Sequence, residues 1–171
     1  MEQVLTVLNN LELEGVIERY ALAGATALLF YAEPALTYDL DVFIFLPETT
    51  KKKRVIVDMG PLYIALRRKG YTPNKEQVII KGIPVQFIPS YNPLVDEAVR
   101  EAVEKKYQGV QTRVARLEHL LAIMIDTDRS KDRERIRKLW EEVKLDRHRL
   151  REILTRHKLI KKWEWTIGKI K

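Results

Sequence analysis

The chain has 171 residues, a net charge of +7 and no cysteine. That length suits one well-packed domain, or one domain with a helical appendage. The missing cysteines exclude a disulfide framework and a thiolate zinc site. No apolar run is long enough to span a bilayer, so no membrane partner is expected. The opening MEQVLTVLNN lacks the basic and apolar regions of a secretory signal, and a cytoplasmic protein is expected.

Val4, Leu5, Leu8 and Leu11 have helical spacing and predict an amphipathic helix from residue 2 to about 18. RYALAG reads as a short apolar strand ending at Gly24. GATALLFYAE is rich in Ala and Leu and suits a helix packed on a sheet, stopped by Glu33-Pro34. Thr37 to Phe45 is the clearest strand, ended by Pro47, and ETTKKKR follows as a charged loop.

Asp58 and Pro61 predict a helix start, and Gly70 its stop. EQVIIKGIPVQFIP reads as a hairpin turning at Lys81-Gly82. Asn92-Pro93 reads as an N-cap and first helical residue. GVQTRVA is a further short strand. Three apolar stripes of helical spacing then follow, the second starting with Ser130 as N-cap and Asp132 near the helix N-terminus. The fold class is therefore α+β: a mixed sheet flanked by helices over residues 1–115, then a basic helical region, 116–171, packed on it. The basic run from Arg129 to Lys162 reads either as an anion-binding surface or as a solvated helix face, because acids are interleaved in it.

TYDLDVFIF places two acids inside an apolar strand. Strand side chains alternate, so Asp39 and Asp41 share one face while Leu40 and Val42 serve the other. Two carboxylates on one face repel each other, and a divalent cation removes that penalty. Hard oxygen ligands favour Mg²⁺ or Mn²⁺. Upstream, Gly24 in LAGAT sits where a strand turns into a helix, a place where phosphate can approach the backbone.

The stretch LAGATALLFYAEPALTYDLDVFI resembles the nucleotidyltransferase superfamily related to DNA polymerase beta. Within it, the chain looks like the AbiEii-type toxins and minimal nucleotidyltransferases. EHLLAIMIDTDRSKDRERI resembles their helical A-M-K-L…R-x-x-D region. The resemblance implies a nucleotidyltransferase-like fold. It also implies transfer of a nucleoside monophosphate from an NTP to a hydroxyl on RNA, tRNA included, or on protein. It further implies a toxin with a cognate antitoxin. Asp39 and Asp41 would be catalytic metal ligands. Gly24, Ala25 and Thr26 would form the nucleotide turn, with Ala25 where the family prefers Gly or Ser. Arg129 and Lys131 would add positive charge at the nucleotide, or else belong to a solvated loop and helix cap.

The chain also departs from the family pattern. Family enzymes commonly carry a third carboxylate on a later strand, and the matching position is Gln86. Gln can offer metal an amide oxygen but cannot accept a proton at neutral pH. Met124 stands where the family carries Lys, and Arg135 where it carries Asp. The alternative is therefore a catalytically silent protein on the same fold that binds nucleic acid or a partner. His119 reads as a helix-face histidine, and Tyr38 as packing or base-stacking. Trp163 and Trp165 read as a docking tail or a nucleic-acid stacking platform.

Overall fold

The computed structural model describes residues 1–32, 39–47, 51–52 and 56–170. Glu33-Pro34, Thr37, Tyr38 and parts of the ETTKKKR loop lie outside the described residues. Chain order is α1 (Glu2–Leu13), β1 (Arg19–Ala23), α2 (Gly24–Leu28), β2 (Leu40–Phe45), β3 (Lys51–Lys52), β4 (Ile56–Val57) and α3 (Gly60–Arg68). Then come β5 (Pro73–Asn74), β6 (Gln77–Ile80), β7 (Ile83–Pro89), α4 (Pro93–Arg100), β8 (Val103–Tyr107) and β9 (Val110–Val114). Four helices complete the chain: α5 (Leu117–Thr127), α6 (Ser130–Glu142), α7 (Arg147–Arg156) and α8 (Ile160–Ile170).

Seven strands form one mixed sheet in the order β5-β6-β7-β2-β1-β9-β8. β2 runs parallel to β7 and β1 parallel to β9, and the other neighbours are antiparallel. The β6–β7 turn has positive φ at both Lys81 and Gly82, and the β8–β9 turn has it at Gln108 and Gly109. Two consecutive left-handed residues give a tight turn whose twist matches that of the flanking strands. β8 was not expected, because VEKKY alternates half-buried with exposed residues and lacks the strong apolar run of a central strand. It is an edge strand, where charged residues discourage pairing with other chains.

The sheet is covered on both faces. Tyr20 and Leu22 of β1 face the same way as their register partners Ile44 and Val42 of β2, and all four are fully buried. α1 covers this face: Tyr20 donates its hydroxyl hydrogen to Asn9 Oδ1, 2.7 Å away. The opposite face carries Ala21, Ala23, Asp41, Phe43 and Phe45. α4 lies there, with the Arg100 guanidinium 5.7 Å from the Phe45 ring centre.

α4 begins as its sequence dictates, with Asn92 Oδ1 accepting from the Val95 N–H at 2.8 Å and Pro93 in the first turn. α6 starts one residue earlier than expected. Arg129, not Ser130, is the flanking extended residue, and Ser130 is already helical. α1 and α2 are shorter than the periodicity predicts, because Gly15 takes a left-handed turn and the chain leaves α2 after Leu28. α5 is buried along nearly its whole length and packs against both α4 and α7. No described helix is long and apolar enough to cross a membrane.

Candidate functional site

Where β1 hands over to α2, Gly24 takes φ +58°. A residue with a Cβ is disfavoured there by its backbone alone. The space is also taken. A Cβ on Gly24 would lie 2.8 Å from Cγ of Asp41, and closer still to its Oδ2. Register explains the contact: Ala23 pairs with Asp41 across the antiparallel β1–β2 ladder, so the acid sits beside the residue that starts the turn. The bare Cα of Gly24 is what lets the carboxylate lie against this junction.

On the other side of β2, Asp41 pairs with Gln86 of the parallel strand β7. Partners in register point to the same face. Val85 and Phe87 turn to the opposite side and are buried. Asp39 precedes the strand in a bend, and its Oδ2 lies 3.5 Å from Gln77 Nε2. Gln77 precedes Val78, which pairs with Val85, so Gln77 belongs to the face of Gln86 and Asp41. Asp41, Gln77 and Gln86 thus serve one sheet face, whereas Asp39, expected inside the strand, lies just before it and does not line the cavity formed at Asp41 and Gln86. Thr26 is buried, and its hydroxyl donates to the backbone carbonyl of Asp39 at 2.9 Å. This bond ties the five-residue helix α2 to the start of the acid strand. Ala25 is buried beside it.

Asp41 and Gln86 line a cavity of about 250 Å³. Helices form its far side. Met124 of α5 contributes an apolar wall, and Arg129, Asp132 and Arg135 come from the start of α6. Asp132 is 2% exposed. Its two oxygens take one arginine each: Arg129 Nε lies 3.2 Å from Oδ2, and Arg135 Nη1 lies 3.4 Å from Oδ1. The sequence suggested Asp132 only as an acid favouring a helix N-terminus. In the structure it is a buried acid of the cavity, a role its i,i+3 spacing to both arginines makes possible. Tyr91, half exposed, stands at the same cavity. The Lys131 side chain lies outside the described residues.

A second polar cluster joins the sheet region to the helices. Glu97 of α4 accepts from Arg156 Nε at 3.1 Å and Nη2 at 2.5 Å. His119 Nε2 is 3.2 Å and His157 Nε2 2.7 Å from the same carboxylate. The hydrogen bond from Arg156 is the main cause that holds the Glu97 carboxyl down to about 2, with both histidines adding to it. His119 was expected on a helix face; it is fully buried, and burial pushes its pKa down. Among the described residues, Glu97, Glu101 and His119 bring potential metal-ligand atoms within 4.8 Å of one another. The Arg156 guanidinium already occupies the Glu97 carboxylate, and this cation opposes a metal ion at that position. The cluster is an interhelix charge network.

Trp163 and Trp165 part company in α8. Trp163 packs edge-on against Trp140, with ring centres 4.9 Å apart. Trp165 is 46% exposed, with the Arg133 guanidinium 5.4 Å from its ring centre. The tail therefore docks through one tryptophan and shows the other. The sequence residues that the structure gathers at one cavity are Gly24, Asp41, Gln86, Met124, Arg129 and Arg135. No family model and no curated protein matches the chain.

Proposed function

We propose that this protein is a metal-dependent nucleotidyltransferase, with the nucleotidyltransferase-like fold that its sequence resembles. One observation carries the reading: the Asp41 carboxylate rests on Gly24, beside Gln86, in a cavity whose opposite wall holds two arginines. A carboxylate on one wall and two arginines on the other suit a nucleoside triphosphate bound with a divalent ion.

The donor set fits such an ion. Asp39 and Asp41 offer carboxylate oxygens and Gln86 an amide oxygen, all hard ligands. Mg²⁺ or Mn²⁺ held there would neutralise phosphate charge and steady the attacking and leaving oxygens. The remaining work belongs to the protein. Gly24 leaves room at the turn. Thr26 holds the acid strand in place through the Asp39 carbonyl. Arg129 faces the phosphates. The acceptor hydroxyl attacks the α-phosphorus, the bond to the β-phosphate oxygen breaks, and pyrophosphate leaves. Asp41 is the carboxylate of the sheet wall that can take the hydroxyl proton, since both oxygens of Asp132 are paired with arginines. The acceptor is an RNA, tRNA included, or a protein hydroxyl, and the biological setting is a toxin with a cognate antitoxin.

Gln86 favours a second reading, a catalytically silent protein that binds nucleic acid or a partner. It stands in register with Asp41 where a third carboxylate would complete the strand acids. The two readings part in one assay. Labelled NTPs, Mg²⁺ or Mn²⁺ and total RNA are incubated with the protein and with an Asp41→Ala control. Transfer that disappears in the control supports the enzyme. No transfer with any nucleotide, together with no metal-dependent stabilisation by NTPs, would sink it.

A further inference from the structure

The arginines of the cavity differ from ordinary surface arginines. Asp132 is buried between them and gives each one oxygen. Two guanidiniums share one carboxylate, so the trio carries a net charge of +1 at the cavity. Among the described residues, Asp132 Oδ2 has no hydrogen-bond partner, although Arg129 lies within ion-pair range of it. Arg129 is thus held by charge and not by a directed bond, and its N–H groups remain for a ligand. A guanidinium has five N–H donors. Arg135 spends one nitrogen on Asp132. The same cavity is lined by the apolar side chains of Met124 and Ile123. A hydrogen bond made beside such a wall is stronger than one made in water.

We propose that Arg135, paired with Arg129 across Asp132, binds the phosphate chain of the ligand in this cavity. This inference rests on the nucleotide reading above for the identity of the ligand, and goes beyond it in naming Arg135. The planar fork of Arg matches phosphate oxygens two at a time, which a lysine ammonium does not. Arg135 lies two turns inside the path of α6 from Arg129, so the two forks approach from different points along the helix start. A chain of linked phosphates offers oxygens along such a span, and a single small anion does not.

The test uses the full chain and inorganic triphosphate as probe, followed by calorimetry at low salt with and without Mg²⁺. Wild type binds the probe. Arg135→Gln weakens binding by roughly tenfold or more, the loss expected for charge-assisted hydrogen bonds. Arg135→Lys recovers part of it. Melting curves of each variant check that it is folded, and the Lys variant separates lost charge from lost structure. Equal affinity of Arg135→Gln and wild type overturns the proposal. The four NTPs form a second arm. Binding of triphosphate but of no NTP keeps the phosphate role of Arg135 and removes the nucleotide reading. NTP binding that ignores Arg135→Gln keeps the nucleotide reading and removes this one. No binding of either probe removes both.

Discussion

The two walls of the cavity are built by different physics. The sheet wall is set by backbone pairing: Ala23, Asp41 and Gln86 lie side by side because β1, β2 and β7 are hydrogen-bonded in a fixed register. A one-residue slip would carry Asp41 to the buried face, so the hydrophobic pattern protects the position of the acid. The helix wall is set by side chains. Arg129 and Arg135 converge because Asp132 is buried between them. The lesson is that the sheet fixes where charge sits, while the helices fix which charges face it through bonds that a single substitution can undo.

The largest expected effect comes from the sheet wall. Asp41→Asn keeps the shape and removes the charge. Transfer should fall by on the order of 10²–10³, the loss typical of one preorganised electrostatic group, with little change in melting temperature. Measured rates that stay near wild type would detach Asp41 from the chemistry.

Gly24→Ala attacks the same wall through its backbone. The new Cβ meets the Asp41 carboxylate and must sit at a φ of +58°. A destabilisation of about 1–3 kcal/mol is expected from forcing a non-glycine residue into that region, with transfer lost at the same time. Chemical denaturation measures the first and labelled transfer the second. A stable, active Gly24→Ala would show that the junction tolerates more than the register allows.

On the helix side, Glu97→Gln breaks the network that joins α4 to α5 and α7. Loss of hydrogen bonds to a charged group should cost about 2 kcal/mol. The pH dependence has a definite sign. The Glu97 carboxyl sits at about 2 in the folded protein, against an ordinary 4.5. Its stabilisation is therefore full above about 4.5 and lost as pH falls towards 2. Burial lowers His119 below its ordinary 6.5, so this group also costs stability once pH drops below that value. Melting curves from neutral to acid pH should show both losses in wild type, and Glu97→Gln should lack the lower one.

The smallest effect sharpens the comparison most. Gln86→Glu adds a carboxylate in register with Asp41. Without metal, repulsion should lower stability by about 1 kcal/mol. With Mn²⁺ or Mg²⁺ the order should reverse, and the variant should melt above its own metal-free form by more than wild type does. A metal-independent melting temperature in both proteins would deny the sheet wall a metal role.

Much of the sheet wall was legible in the sequence. The alternation in LDVF assigns Asp41 to one face and Leu40 and Val42 to the other, and Gln86 follows from the same rule applied to IPVQFIP. Asn92-Pro93 and the Lys81-Gly82 turn were readable from local chemistry alone. The helix wall was not. Asp132 looks like an acid in a first helical turn, which is what its sequence neighbours suggest, and its burial depends on how α6 meets α5 and the sheet. His119 lies in an apolar helix, but its partner Glu97 is 22 positions away. No periodicity carries that information. The edge strand β8 escaped because its charges match a loop as well as they match an edge.

The sequence by itself determined most of the elements, the face Asp41 takes, and the glycine at the first strand–helix junction. These follow from dihedral limits and side-chain alternation, which act over a few residues. Only the tertiary structure decided that Asp41 meets Gly24 and Gln86, and that Arg129 and Arg135 share Asp132 across from them. Those contacts depend on strand order and on the docking of α5 and α6. Long-range packing sets both, because burying the apolar faces of sheet and helices together leaves few places for the charged groups to go.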